Sequence, residues 1–391
     1  MHAFDLGKDR YREERQRVVR IAKQHDPDWL LQQDRYHTEP FCIVFLLWLE
    51  EQLVTAPNAV AAWVAIAPAL AGRVYRRTIP PTTLPRLELR AHAVVGAWQR
   101  ARGRLDDAQR AYARGLALLD AVGADAVPPV DRSEFHRRYA LLQAFRGQAD
   151  EGWSHLDQAE ALARAHGTPS DVGCCLYMRG LFLVSCAQQP CAGRREGGVQ
   201  IAPARAIALF SEALDHLDKR QHRAVHRASV TNLIIATALA STPGEFADAL
   251  ARIDAVRKQQ AASRKSLSLP AVKLDWTRGL LLARLGRHHR AVRALRACQE
   301  RFLRLEAPVE YLNVCLDLSL VFDARGDAHA LRRLAADAAP VVAQHRQAHP
   351  EAADLLQRWL HDAAAARVVP DTLRALIDQL QTAPRLSPVA A

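Results

Sequence analysis

Apolar and polar positions along this chain follow the three-to-four-residue period of amphipathic helices, and the helices come in pairs that recur. Between Ala93 and Leu119 two such patterns meet at Gly103. Counting from Gly96, Gly103 lies seven residues on, Ala108 twelve, Tyr112 sixteen and Gly115 nineteen. That spacing predicts two antiparallel helices: Gly96, Ala108 and Gly115 permit close approach and Tyr112 fills the space between them. Gly103 takes the positive φ of a tight turn.

The same register runs on to Ala338. The first-helix small position reads Gly96, Ala140, Gly180, Thr237, Gly279 and Ser319, and the turn position Gly103, Gly147, Gly244, Gly286 and Gly326. The position filled by Tyr112 continues as Leu156, Phe210, Ile253, Leu295 and Ala335. Gly180 to Ala206 spans 26 residues against 12 elsewhere, and the surplus of 14 falls in a Gly-, Pro- and Arg-rich stretch predicted as a loop at about 187–203. With those 14 discounted, unit starts at 89, 133, 173, 230, 272 and 312 step by 44, 40, 43, 42 and 40. The predicted fold is all-α: a solenoid of antiparallel helix pairs, each burying its apolar face against the next.

This pattern of small, Gly, Ala, aromatic and small positions resembles the tetratricopeptide repeat (TPR). The step exceeds the usual repeat of about 34 residues, which is similar to long-helix TPR-like sensors and regulators of bacteria. The resemblance implies a binding surface along the first helices, at Arg90, Arg100, Glu134, Arg137, Phe145, Tyr177, Leu181, Ile234, Lys273, Trp276, Arg284 and Asn313. Aromatic area from Tyr177 and Trp276, with Arg137 and Arg284 reaching acidic groups, suits a peptide. The alternative, that Tyr177 and Trp276 only pack between units, stays open. TPR domains that clamp a terminal carboxylate carry Lys and Asn where this chain has Ala93 and Ala97, so that subtype is set aside.

Outside the array, residues 1–80 read as an N-terminal helical cap with a degenerate first repeat. Residues 8–34 form one or two amphipathic helices, and 41–55 and 58–77 a helix pair. Ile79 to Pro85, with three prolines, is predicted to exclude helix. The array occupies 86–346, and 347–391 supply capping helices at 351–364 and 370–381 and a frayed tail.

Composition changes this picture little. Apolar residues make up 49% and charged residues 24% of 391, and Ala, Leu and Arg favour helix throughout. A charged start without an apolar core, and an apolar run of only nine residues at Phe41–Leu49, predict a cytoplasmic chain. The net charge of +11 fits either GC-rich coding, which favours Arg, or a basic surface for nucleic acid.

Candidate chemistry is sparse. Cys174, Cys175, Cys186 and Cys191 form no Cys-x-x-Cys pair, and His222 and His226, four apart on a helix, lack an acidic third ligand. Oxidation at Cys186 or Cys191 is the remaining thiol chemistry. Gly193 to Gly198 lacks the Gly-Lys-Ser/Thr ending of a phosphate loop, and no catalytic motif appears. The expectation is therefore a non-enzyme without metal or cofactor: a protein- or peptide-binding scaffold or sensor acting with a separately encoded effector. The alternative is a regulator associated with nucleic acid.

Overall fold

Proline, glycine and charge set the helix limits one by one. The computed structural model describes residues 7–55, 60–74, 80, 82–102, 104–187, 198–220, 222–261, 269–305, 307–348, 350–369 and 376. Among these residues there are seventeen α-helices and no strand, the all-α solenoid predicted from the repeat. The N-terminal helices are α1 (Lys8–Gln24), α2 (Pro27–Leu31), α3 (Glu39–Thr55) and α4 (Ala61–Gly72). The pairs that follow are α5 (Thr83–Ala101) with α6 (Leu105–Val122), α7 (Pro129–Phe145) with α8 (Ala149–His166), and α9 (Pro169–Ala187) with α10 (Gly198–His216). Next come α11 (Arg223–Ala240) with α12 (Phe246–Ala261), α13 (Leu269–Arg284) with α14 (His288–Arg304), and α15 (Pro308–Ala324) with α16 (Ala328–Ala348); α17 (Pro350–Ala364) closes the described chain.

Helix starts obey simple rules. Pro129 and Pro308 open α7 and α15 at a position whose N–H has no intrahelical partner. Asp106 and Asp107, and Asp150 and Glu151, place negative charge in the first turns of α6 and α8. Gly147, Gly286 and Gly326 adopt φ of 76, 69 and 62°, reversing the chain between paired helices as predicted. Gly244 is different. It sits in a 3-10 turn, Pro243–Glu245, held by a capping box in which Thr242 N and Oγ1 donate to Glu245 Oε2 at 2.8 and 2.9 Å.

Two further boundaries differ from expectation. Thr83, Leu84 and Pro85 are helical, because a proline in the first turn of α5 forfeits no hydrogen bond. Positions 198–203 of the expected loop belong to α10. Gly103, residues 188–197 with Cys191, and the expected helix at 370–381, apart from residue 376, lie outside the described residues.

The described residues divide into two compact units, 7–182 with 212–226, and 183–211 with 227–369 and 376. In the first, Phe41, Phe45, Trp48, Trp63 and Leu70 form one core, and Tyr112, Phe135, Tyr139 and Leu142 another. Gly96 acts here as predicted: a Cβ on it would stand 2.4 Å from Tyr112 Cε2, so only hydrogen lets α5 and α6 close around that ring. In the second unit Trp276, Leu295, Phe302, Leu316, Leu334 and Trp359 share a core. A Cβ on Gly279 would stand 2.7 Å from Leu295 Cδ2, by the same sixteen-residue register.

Candidate functional site

The repeat step reappears as the sequence separation between side chains that bond neighbouring first helices. Arg90 donates from Nε and Nη2 to Glu50 at 3.0 and 2.8 Å, forty residues apart, joining α5 to α3. Arg86 Nε pairs with Asp131 Oδ2 at 2.7 Å, joining α5 to α7. Ser133 Oγ lies 3.6 Å from Cys175 Sγ, joining α7 to α9. Within the first unit the first helices thus form a layer stitched by polar contacts.

Helix α7 supplies its centre. Phe135, Tyr139 and Leu142 face the apolar core, and Glu134, Arg137 and Arg138, spaced three and four residues apart, share the flank beside it. Arg138 Nη1 reaches Glu50 at 3.1 Å, and Arg138 also pairs with Glu134. Burial alone would raise the Glu134 carboxyl, but Arg90, Arg138 and Arg137 hold it below its ordinary value. Burial wins at Asp131, pushed up to about 6 despite Arg86. Arg90 stays charged against its burial because Glu134 and Glu50 face it.

The two remaining guanidiniums form no ion pair among the described residues, although Glu134 still acts on Arg137 at longer range. Arg137 is 4% exposed; it bonds the Cys174 thiol, while its Nε and Nη1 have no acceptor. Arg100 lies over the Phe145 ring, 5.2 Å from its centroid, with Nε buried and unpartnered. Its pKa is lowered by burial and by Arg138, since no carboxylate among the described residues compensates it.

The other residues expected to line a groove are placed differently. Tyr177 and Leu181 are fully buried, and Trp276, at 2% exposure, donates to Asp317 and packs edge-on against Phe302. For these two aromatics the packing alternative describes the structure. Lys273, also buried, pairs with Glu310 at 3.3 Å, and Asn313 Nδ2 donates to the Val309 carbonyl at 3.1 Å. Ile234 is partly exposed; Arg284 is exposed and lies over Phe246 at 5.4 Å. Arg90 with Glu134 and Arg100 with Phe145 are brought together, whereas Ile234, Lys273, Trp276, Arg284 and Asn313 belong to the second unit.

Sequence reasoning missed Glu50, Arg86, Asp131 and Arg138. The signal was present in Glu50 and Arg90, opposite charges one repeat apart. It also missed the approach of Cys174 Sγ to His222 Nδ1 at 3.8 Å. Among the described residues no group of three His, Cys, Asp or Glu could hold a metal, and no helix is long and apolar enough to cross a membrane. Cys42, Cys174, Cys175, Cys298 and Cys315 are buried free thiols. Burial raises the pKa of Cys174 and Cys175 even beside Arg137, which keeps them protonated.

No protein-family model and no curated protein matches this chain. Among solved structures it is similar to a Rap protein complexed with Competence and Sporulation Factor, at 14% identity, covering 97% of this chain and 100% of that one, with a TM-score of 0.48. It is also similar to the apo form of RapI, at 12% identity, covering 71% of this chain and 97% of that one, with a TM-score of 0.41.

Proposed function

We propose that this protein is a non-catalytic, TPR-like repeat scaffold that binds an acidic protein or peptide segment along the first helices of its first unit. It would act there as the sensing partner of a separately encoded effector. One observation carries the reading: Arg137 is buried on the layer of first helices with two donors lacking an acceptor. An unsatisfied buried donor costs roughly 1–3 kcal/mol, more for a charged group. A partner carboxylate accepting from either donor would reduce that cost, since charge-assisted bonds are the stronger ones. No cofactor is needed for this role.

The test is fluorescence anisotropy with a labelled ten-residue peptide rich in Glu. Wild-type protein is expected to bind it, Arg137→Gln at least tenfold more weakly, and a Gln-for-Glu peptide not at all. Equal affinity of wild type and variant would overturn the reading.

A second reading, association with nucleic acid, draws on α14. Arg290, Arg293 and Arg304 on that helix and Arg287 at its N-cap are exposed, and none forms an ion pair among the described residues. Glu300 is the one acid of the helix. A labelled DNA duplex in the same assay, at two salt concentrations, separates the readings: counterion release makes DNA binding fall steeply with salt. Reversal of those four arginine charges would abolish DNA binding and leave peptide binding intact.

A further inference from the structure

Donors without acceptors also meet at a second place in the first unit, between the end of α5 and the middle of α6. Tyr112 is fully buried among Gly96, Phe135 and Tyr139, and its hydroxyl has no hydrogen-bond partner among the described residues. The charges felt at that hydroxyl are Arg100 and Arg138, both positive. Arg138 is engaged by Glu50 and Glu134. Arg100 is not: its Nε is buried without an acceptor, Phe145 supports its guanidinium plane, and part of its side chain reaches solvent. Burial lifts the Tyr112 pKa to about 12, so the hydroxyl remains a donor at every physiological pH.

From this geometry we infer that Arg100 and Tyr112 form an oxyanion subsite, and that its occupant is a carboxylate of the peptide bound in the reading above, on which this inference rests. Both groups offer hydrogens and, among the described residues, neither is paired with an acceptor, so a ligand that supplies acceptor oxygens completes the corner. Arg100 alone has another explanation, because a cation in the last turn of α5 favours the helix dipole. That account leaves the Tyr112 hydroxyl unexplained. Phenylalanine would fill the same space between Gly96 and Phe135 without burying an unsatisfied oxygen.

Tyr112→Phe therefore separates a packing role from a binding role. Thermal unfolding and titration of the Glu-rich peptide and of inorganic phosphate are measured on wild type, Tyr112→Phe, Arg100→Gln and Arg100→Lys. The expected result is a Tyr112→Phe melting temperature equal to or above wild type, with peptide affinity about tenfold lower, one net hydrogen bond. Arg100→Gln should lose at least as much affinity, and Arg100→Lys should recover part of it. Unchanged peptide affinity in Tyr112→Phe overturns the subsite. Loss of phosphate binding without loss of peptide binding overturns the assignment of a peptide carboxylate. If binding depends on Arg137 and not on Arg100 or Tyr112, the subsite falls alone; if no form binds the acidic peptide, both readings fall.

Discussion

The indole Nε1 of Trp276 donates a 2.6 Å hydrogen bond to Oδ2 of Asp317, forty-one residues and one repeat away. A ring expected to face a ligand instead ties α13 to α15, and both groups are nearly removed from solvent, at 2% and 5% exposure. The contact couples two repeats of the second unit. Trp276→Phe would leave the Asp317 carboxylate short of a donor in a buried site, a loss of roughly 1–3 kcal/mol. Urea unfolding followed by far-UV circular dichroism checks it. The Trp276→Phe, Asp317→Leu double variant should be more stable than additivity predicts, because the acid that lost its indole donor is gone.

Gly96 opposes two effects of known size. Alanine in a helix interior gains about 1 kcal/mol over glycine. The added Cβ, however, would stand 2.4 Å from a Tyr112 ring hemmed by Phe135 and Tyr139, and overpacking of that kind costs about 1–3 kcal/mol. The clash should win, so Gly96→Ala lowers the melting temperature. Combining it with Tyr112→Leu should recover part of the loss; strict additivity would count against the contact.

Glu50 holds two guanidiniums, accepting from Arg90 at 2.8 and 3.0 Å and from Arg138 at 3.1 Å. Glu50→Gln keeps the shape and removes the charge, leaving Arg90 and Arg138 to share Glu134. Breaking a buried pair from one side costs about 3–5 kcal/mol. Denaturant unfolding should register this loss at low and high salt alike, since buried pairs escape screening.

His136 and His155 set a pH limit on the first unit. Their Nδ1 atoms lie 3.0 Å apart in stacked rings. Burial, then the neighbouring His155 and Arg132, push His136 down to about 4, and burial lowers His155 despite Glu151. An unfolded imidazole titrates near 6.5, so between that value and about 4 the unfolded chain binds the extra proton. The His136 contribution is complete above pH 6.5 and is lost as pH falls toward 4, about 3 kcal/mol in all. Unfolding free energies at pH 7.5 and 4.5 for wild type and for His136→Phe, His155→Leu measure it. The variant should lose less on acidification.

Much of this molecule was fixed by local covalent geometry. A helix returns a side chain to the same face every three or four residues, so Gly96, Ala108 and Tyr112 announce a close helix pair before any neighbour is known. The forty-residue step follows from the same regularity, and Gly147, Gly286 and Gly326 turn the chain where predicted. Which inner-face residues remain open to a partner was decided elsewhere. The burial of Trp276 depends on Asp317, the charge of Arg90 on Glu50, and the lowered pKa of Arg100 on having no carboxylate beside it among the described residues. Helical period places a side chain on a face, but only the side chains of the next repeat determine whether its hydrogen bonds and charge are already satisfied.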